Sequence, residues 1–196
     1  MTPQTASQNP LTIKAYLSGE QDGDLRHEYV GGEVYAMTGA SDRHGLIVGA
    51  FFAALRPAAR EKGCQLFSND MKVRLQHAGE EAFYYPDLLL TCDPNDRAIY
   101  YREKPCLIVE VLSATTERID RREKLYAYTG GLASLREYVL VAQDRQHIKI
   151  YRRTATDWSH ESIEQGSFHL DCLNLDLLVD AVYEDLEDSQ LSPPTS

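Results

Sequence analysis

The stretch CLIVEVLSATTERIDRREK, residues 106–124, carries one carboxylate, Glu110, inside a run of Leu, Ile and Val. A short continuous apolar run predicts a strand that is buried on both faces. Moving an ionised carboxylate out of water costs roughly several kcal/mol unless a cation or hydrogen-bond donors replace the water. The sequence therefore predicts that such a group lies opposite Glu110.

Strand and helix patterns alternate outward from this run. HEYVGGEVYAM predicts a hairpin around Gly31-Gly32, and LIVGAFFAALRPAAR predicts a helix capped by Ser41 or Asp42. MKVRLQ, FYYPDLLLT and CLIVEVL predict three strands, most simply an antiparallel meander. The helix pattern TERIDRREKLYAYTGG follows, and then the strand patterns EYVLVA and HIKIYRR. This order predicts an α+β or mixed α/β domain.

The length of 196 residues and 43% hydrophobic content predict a single domain, which we place at residues 1–180. Residues 181–196, which end in EDLEDSQLSPPTS, combine acids with Ser and Pro and predict a frayed tail. The polar N-terminus lacks a secretory pattern, and no run is long enough to span a bilayer. We expect a soluble, cytoplasmic protein with no membrane partner.

The net charge of −10 seems unfavourable for binding nucleic acid. However, residues 154–196 hold ten acids and no Lys or Arg, whereas residues 1–153 hold 20 acids and all 20 basic residues. The excess of acid therefore belongs to the C-terminal part, and a nucleic-acid partner is not excluded.

The cysteines and histidines show no metal-binding spacing. Cys64, Cys92, Cys106 and Cys172 are irregularly spaced and lack CxxC pairs, so we expect small buried apolar residues. The six histidines include no HExxH pattern. A dedicated zinc site is not expected from these patterns.

Two acids and a lysine form the candidate site. Pro86-Asp87 opens the LLL part of one strand, and Glu110 lies in the strand that we pair with it. Two carboxylates with water and a phosphate are how Mg²⁺ is usually held, and the ion would offset the burial of Glu110. Lys124 follows on a helix face shared with Asp120 and Arg121, and its ammonium could stabilise charge on a phosphate under attack.

These residues resemble a known group of nucleases. Pro86-Asp87 and Glu110 followed by a lysine resemble the PD-(D/E)xK superfamily, although Leu112 occupies the usual lysine position. A closer pattern, formed by Glu110, Ser113, Thr116, Asp120 and Lys124, resembles the Uma-two family of bacterial restriction-endonuclease-like proteins. The resemblance implies a restriction-endonuclease-like core with a central mixed sheet, flanking helices and an N-terminal hairpin. It also implies that Lys124 replaces the strand lysine.

Other residues have weaker assignments. The resemblance takes in Glu33 and His44, which could complete the site or be an exposed hairpin acid and a helix-start histidine. Ser113 and Asp120 are further accessory candidates, with Ser113 otherwise a turn residue. Three arginines could contact DNA or form a mixed exposed helix face: Arg118, Arg121 and Arg122.

Each central residue also has a simpler interpretation. Asp87 alone could be a turn aspartate, and Lys124 could be a solvated lysine paired with Asp120. Taken together, the residues predict an endonuclease in which Asp87 and Glu110 bind Mg²⁺, with Mn²⁺ as a substitute, and a metal-activated water cuts DNA. A homodimer is expected because a compact nuclease often cuts two strands with two copies. The alternative is an inactive nucleic-acid-binding or regulatory domain on the same fold.

Overall fold

A computed structural model describes residues 10–37, 39–112 and 123–186 of the chain. The predicted hairpin, first helix and later strands are present in these ranges, whereas residues 116–122 of the predicted second helix lie outside them. Five further strands, at residues 65–68, 101–102, 158–163, 167–170 and 175–178, were not predicted. In chain order the elements are α1 Ile13–Asp22, β1 His27–Val30, β2 Glu33–Ala36, α2 Asp42–Glu61, β3 Gln65–Ser68, β4 Lys72–His77, β5 Glu80–Tyr84, β6 Leu88–Thr91, β7 Tyr101–Arg102, β8 Leu107–Leu112, α3 Leu125–Gly131, β9 Glu137–Ala142, β10 Ile148–Arg153, β11 Trp158–Ile163, β12 Ser167–Leu170, β13 Leu175–Leu178 and α4 Val179–Val182.

A six-stranded mixed sheet forms the centre of the molecule, in the order β11-β10-β9-β8-β6-β3. The central strand β8 pairs antiparallel with β6 and parallel with β9. All six of its residues are buried. The predicted doubly buried strand around Glu110, and its pairing with the strand after Asp87, are confirmed.

The helices cover the two faces of this sheet. Helix α2 packs Ile47, Phe51 and Leu55 against the face that includes Val109. Ser41 caps this helix by accepting a hydrogen bond from the His44 backbone N–H at 3.2 Å, as predicted. Helix α3 packs on the opposite face, and alternation of side chains along β8 turns Glu110 towards it.

A second sheet has the order β2-β1-β5-β4-β7. The predicted hairpin is present, and Gly31 and Gly32 adopt φ values of 57° and 99° in its turn. The expected three-strand meander is wrong in one respect. FYYPDLLLT does not form one strand, because the chain divides at Pro86 into β5 in this sheet and β6 in the six-stranded sheet. Pro86 cannot donate a ladder hydrogen bond, which suits a position between two sheets.

The folded part extends beyond the boundary at residue 180. Val182, Tyr183 and Leu186 are buried in the core beneath α2. The Tyr183 hydroxyl donates to the carbonyl of Ala142 at 2.8 Å. The predicted tail 181–196 therefore begins too early, because three of its first six residues carry apolar side chains that dock in the core.

The cysteines are not isolated small apolar residues, as the sequence predicted, but form two disulfides. Cys64 is bonded to Cys92, and Cys106 is bonded to Cys172. Cys92 is exposed, so burial does not explain it. The spacing along the chain did not indicate these pairs because they join residues 28 and 66 positions apart.

In the described ranges, no helix has both the length and the apolar character needed to cross a membrane.

Candidate active site

Glu110 lies on β8, a central strand of the six-stranded sheet, with its side chain only 4% exposed. Its Oε1 atom is 3.3 Å from the Lys124 Nζ atom and accepts a hydrogen bond from the Tyr128 hydroxyl at 3.0 Å. Both partners come from the start of α3, one helical turn apart. A cation and a hydroxyl donor thus replace part of the water that burial removes from Glu110.

Lys124 lies between two buried carboxylates. Its Nζ atom is 2.9 Å from Glu28 Oε1 on β1 and 3.3 Å from Glu110 Oε1 on β8. The lysine side chain is 8% exposed, and its ammonium also lies 5.7 Å from the centre of the Tyr84 ring. Lys124 therefore links the two sheets electrostatically at this point.

Asp87 lies immediately before β6, at the end of the sheet where β8 carries Glu110. The last paired residues are Leu88 and Val109, so Asp87 and Glu110 hold the next cross-strand position. Asp87 Oδ2 accepts a hydrogen bond from the Val111 backbone N–H at 2.7 Å. Its Oδ1 atom lies 2.9 Å from His44 Nε2 at the start of α2. These bonds fix the carboxylate on the strand that neighbours Glu110.

Two tyrosines at the site stay protonated well above neutral pH. Burial, followed by the charge of Glu110, raises the pKa of Tyr128. Burial, followed by the charge of Glu28, raises the pKa of Tyr84 to about 12, and the Lys124 charge opposes this shift. Both phenols are therefore neutral at physiological pH, and that of Tyr128 donates to Glu110.

A buried polar network supports Glu28. Its Oε1 atom accepts a hydrogen bond from the backbone N–H of Tyr85 at 3.2 Å. The Tyr85 hydroxyl donates to Glu20 Oε2 at 2.6 Å and accepts from the Lys72 ammonium at 2.9 Å. Desolvation by burial lowers the pKa of Lys72. These bonds hold the Glu28 carboxylate against the backbone of Tyr85, directly after β5.

The charges of the described site residues suit a dication. Glu28 and Glu110 flank the ammonium of Lys124, and Asp87, on the strand next to Glu110, supplies a third carboxylate that is paired with His44. Carboxylate oxygens are the hard ligands that Mg²⁺ prefers. A carboxylate offers about four acceptor positions, and the two bonds to Asp87 use one on each oxygen.

The site is not a cage made of protein ligands alone. A metal cage needs at least three His, Cys, Asp or Glu ligand atoms close together. Among the described residues, such a group, with all atoms within 4.8 Å of one another, is formed by three cysteines and not by these acids. Mg²⁺ usually takes one or two carboxylates and completes its shell with water and substrate phosphate. Asp87 and Glu110 fit this pattern.

The other predicted residues have different positions. Glu33 is exposed on the edge strand β2, where its Oε2 atom accepts a hydrogen bond from the Tyr35 hydroxyl at 2.8 Å. That bond, followed by burial, raises the pKa of Tyr35 to about 12. Of the two glutamates in the hairpin, the one that contacts Lys124 is Glu28. Five of the predicted residues lie outside the described residues: Ser113, Arg118, Asp120, Arg121 and Arg122.

Sequence reasoning missed Glu28, Tyr84 and Tyr128. Glu28 stands in the strand pattern HEYV, so it carries a weaker form of the signal at Glu110, a carboxylate within a predicted strand. Tyr128 lies four residues after Lys124, on the same helix face. These two patterns could have predicted Glu28 and Tyr128 as site residues. No local pattern distinguishes Tyr84 from Tyr85.

A mixed sheet flanked by helices, with acids on two adjacent strands and a lysine beside one of them, defines a protein with the restriction-endonuclease-like nuclease fold. The sequence matches the Uma2 family model, described as "Putative restriction endonuclease", over residues 13–179. The chain therefore belongs to the Uma2 family.

Similar proteins agree with this membership. The uncharacterised protein slr1290 of Synechocystis is 30% identical over 179 residues, which cover 90% of this chain and 93% of that protein. A second uncharacterised Synechocystis protein, sll1609, is 27% identical over 146 residues, covering 73% and 81% of the two chains. A crystal structure from Anabaena variabilis, described as a "putative nuclease", superposes with a TM-score of 0.62 at 14% identity and covers 81% of this chain and 89% of that one. At this identity the superposition shows a common fold.

Proposed function

We propose that this chain is a Mg²⁺-dependent endonuclease that hydrolyses the phosphodiester bonds of DNA, with Mn²⁺ as an alternative ion. The observation that carries the proposal is the position of Lys124 between Glu28 and Glu110, next to the strand that Asp87 begins. Buried groups of opposite charge that gather at the end of a sheet are typical of a catalytic site. Family membership supports the same reaction class.

Asp87 and Glu110 would hold the ion. When bound, Mg²⁺ supplies positive charge and Lewis acidity that activate water and stabilise charge on a phosphate. The hydrogen bonds to Asp87 from His44 and Val111, and to Glu110 from Tyr128, orient the carboxylates before the ion arrives. These hydrogen bonds support the proposal, because carboxylates that are held in place lose little conformational freedom when they bind an ion.

Lys124 would stabilise the transition state. Attack of water on a phosphodiester places additional negative charge on the phosphate oxygens, and a fixed ammonium lowers the energy of that charge. Removing one such donor from an enzyme typically costs about 10²–10³ in rate. Glu28 positions the ammonium by accepting its hydrogen bond at 2.9 Å.

The substrate is proposed to be duplex DNA, and two copies of the chain are proposed to act on its two strands. Light scattering on the purified protein, alone and with DNA, measures that stoichiometry. Arg118, Arg121 and Arg122 are proposed to contact phosphates on the basis of the sequence alone.

Plasmid cleavage tests the proposal. Purified protein is incubated with supercoiled DNA and Mg²⁺, Mn²⁺ or a chelator, and nicked and linear products are measured over time. We expect cleavage that requires the ion, its loss in Asp87→Asn and Glu110→Ala, and a rate at least about 10²-fold lower in Lys124→Met. Glu33→Gln is the matched control, because Glu33 is exposed and bonded to Tyr35, and its rate should equal that of the wild type.

Two results would count against a nuclease. Cleavage that survives in Glu110→Ala would show that the activity comes from elsewhere. DNA binding without cleavage under any ion would favour an inactive binding domain on the same fold. Circular dichroism of every variant separates loss of chemistry from loss of folding.

A further inference from the structure

Three cysteine sulfurs lie together at the end of the six-stranded sheet that is opposite to Asp87 and Glu110, and a fourth is joined to them by a disulfide. Cys64 precedes β3, Cys92 follows β6, Cys106 precedes β8, and Cys172 lies between β12 and β13. Cys64 is bonded to Cys92 and Cys106 to Cys172. The Cys92 and Cys106 sulfurs are 3.8 Å apart, and those of Cys92, Cys106 and Cys172 all lie within 4.8 Å of one another. We call these residues the cysteine cluster.

Strand registers bring three of the four together. Gln65 pairs with Thr91, so Cys64 and Cys92 occupy the next cross-strand position. Leu90 pairs with Leu107, and the Cys106 backbone N–H donates to the carbonyl of Leu90 at 2.8 Å, which places Cys106 at the same end. The cluster is therefore built on rigid strand ends.

The fourth cysteine, Cys172, is held in place by hydrogen bonds to a fully buried acid. Glu137 on β9 accepts hydrogen bonds from the backbone N–H groups of Asp171 at 3.0 Å and Cys172 at 2.9 Å. The Glu137 backbone N–H donates to the carbonyl of Cys106 at 3.2 Å. Glu137 thus fixes the loop of Cys172 beside Cys106.

The proximity of the two sulfur pairs indicates a shared ligand. Each cross-link closes its own loop, of 28 or 66 residues, and neither gains from lying beside the other. A tetrahedral zinc site with Zn–S distances of about 2.3 Å places its sulfurs about 3.8 Å apart. That is the separation between Cys92 and Cys106.

The surroundings favour thiolates. A cavity of about 550 Å³ adjoins the cluster, and its lining includes Lys104, Arg136 and Arg153 with one acid, Asp93. Nearby cations stabilise thiolates relative to thiols. They also offset the two negative charges left when four thiolates bind one Zn²⁺. The exposed Cys92 gives an ion access from solvent.

We propose that the cysteine cluster binds one Zn²⁺ when both disulfides are reduced. A dithiol reductant gives two electrons and two protons to each disulfide and becomes a disulfide itself. The four thiols then form four Zn–S bonds and release four protons, so the site carries two negative charges. Exchange with a small-molecule disulfide reverses this: two equivalents accept two electrons and two protons each and become dithiols, while the cysteines return to two disulfides and release the ion.

Metal titration of the whole chain tests this proposal. Protein is reduced with a dithiol without oxygen, freed of reductant and metal, and titrated with Zn²⁺ against a chromophoric chelator. We expect one Zn²⁺ per chain in the reduced protein and none at the cluster in the oxidised protein. Co²⁺ as a probe should give sulfur-to-cobalt charge-transfer bands and the visible spectrum of a tetrahedral four-sulfur site.

Variants identify the ligands. Cys92→Ser and Cys172→Ser should each weaken Zn²⁺ binding by more than about 100-fold. A loss of that size exceeds the effect of replacing a residue that only supports a metal ligand. Cys92 is exposed, so Cys92→Ser should still fold and test the proposal if Cys172→Ser disturbs folding. His169→Gln is the control for a histidine ligand and should bind as the wild type. Glu110→Ala should also bind Zn²⁺ normally, which separates this site from the proposed nuclease site.

Three results with the unmodified protein would overturn the proposal. These are a reduced protein without stoichiometric Zn²⁺, a cobalt spectrum with fewer than four sulfurs, and disulfides that mass spectrometry shows to resist the dithiol. Unchanged affinity in Cys92→Ser would overturn it as well.

Discussion

Replacing Lys124 with Met removes the ammonium from between two buried carboxylates while keeping an unbranched side chain. The Nζ atom lies 2.9 Å from Glu28 Oε1 and 3.3 Å from Glu110 Oε1. The lysine side chain is 8% exposed and each glutamate side chain 4%, so water replaces little of the lost interaction. We therefore expect a large loss of stability in metal-free buffer.

The expected magnitude follows from burial. Removing one partner of a buried ion pair costs about 3–5 kcal/mol, because a charge is left in a poorly solvated position. For a chain of this size each kcal/mol lowers the melting temperature by about 2–4 °C, so Lys124→Met should melt about 6–20 °C lower. Lys14→Met on α1 is the control, and since Lys14 is exposed its free energy of unfolding should change by less than about 0.5 kcal/mol.

Urea denaturation of the single and double variants provides the assay. Glu28→Gln in the Lys124→Met background removes one of the two carboxylate charges, so it should recover part of the lost stability. The coupling energy between the two positions should lie between about 0.5 and 3 kcal/mol. Mg²⁺ should stabilise Lys124→Met more than the wild type, because the variant site carries one more uncompensated negative charge. A Lys124→Met protein within about 1 kcal/mol of the wild type, or strictly additive variants, would refute the electrostatic reasoning.

Three further perturbations test other parts of the molecule. Truncation after Asp180 removes three buried side chains and should destabilise the fold by about 4 kcal/mol or more in urea denaturation, whereas truncation after Leu186 keeps them and should change it little. The pKa of Tyr84 is about 12 in the folded protein and about 10 when unfolded. The unfolded chain therefore releases this proton first, and the free energy of unfolding falls between about pH 10 and 12, by up to about 1.4 kcal/mol per pH unit. Tyr84→Phe should reduce that slope, and an unchanged slope would contradict the assignment. Arg121→Met should weaken DNA binding and lower the slope of log affinity against log salt by about 1, with equal slopes as the contrary result.

Local patterns predicted the central features of the fold. The run around Glu110, the hairpin at Gly31-Gly32 and the helix capped by Ser41 each follow from short-range rules, and each is confirmed. The division of FYYPDLLLT between two sheets was not predicted. Apolar residues continue through Pro86, and only the docking of the sheets decides which strand each half joins.

The residues of the candidate site also fall into those that the sequence predicted and those that depend on tertiary packing. Chemistry singled out Asp87, Glu110 and Lys124, because a buried carboxylate needs a compensating charge; their catalytic roles remain predictions. The choice of Glu28 over Glu33 depends on how the hairpin packs on α3, which two similar strand patterns cannot reveal. The cysteine cluster was missed for a related reason, since its members come from separate strand ends that meet only through the sheet register.

A crystal structure of the protein soaked with Mn²⁺ tests the central claim most directly. Anomalous density should appear beside Asp87 and Glu110, about 2 Å from one carboxylate oxygen of each. The Lys124 ammonium should remain next to Glu110. Mn²⁺ bound elsewhere, with none between Asp87 and Glu110 at saturating concentration, would contradict the proposed metal-dependent nuclease site.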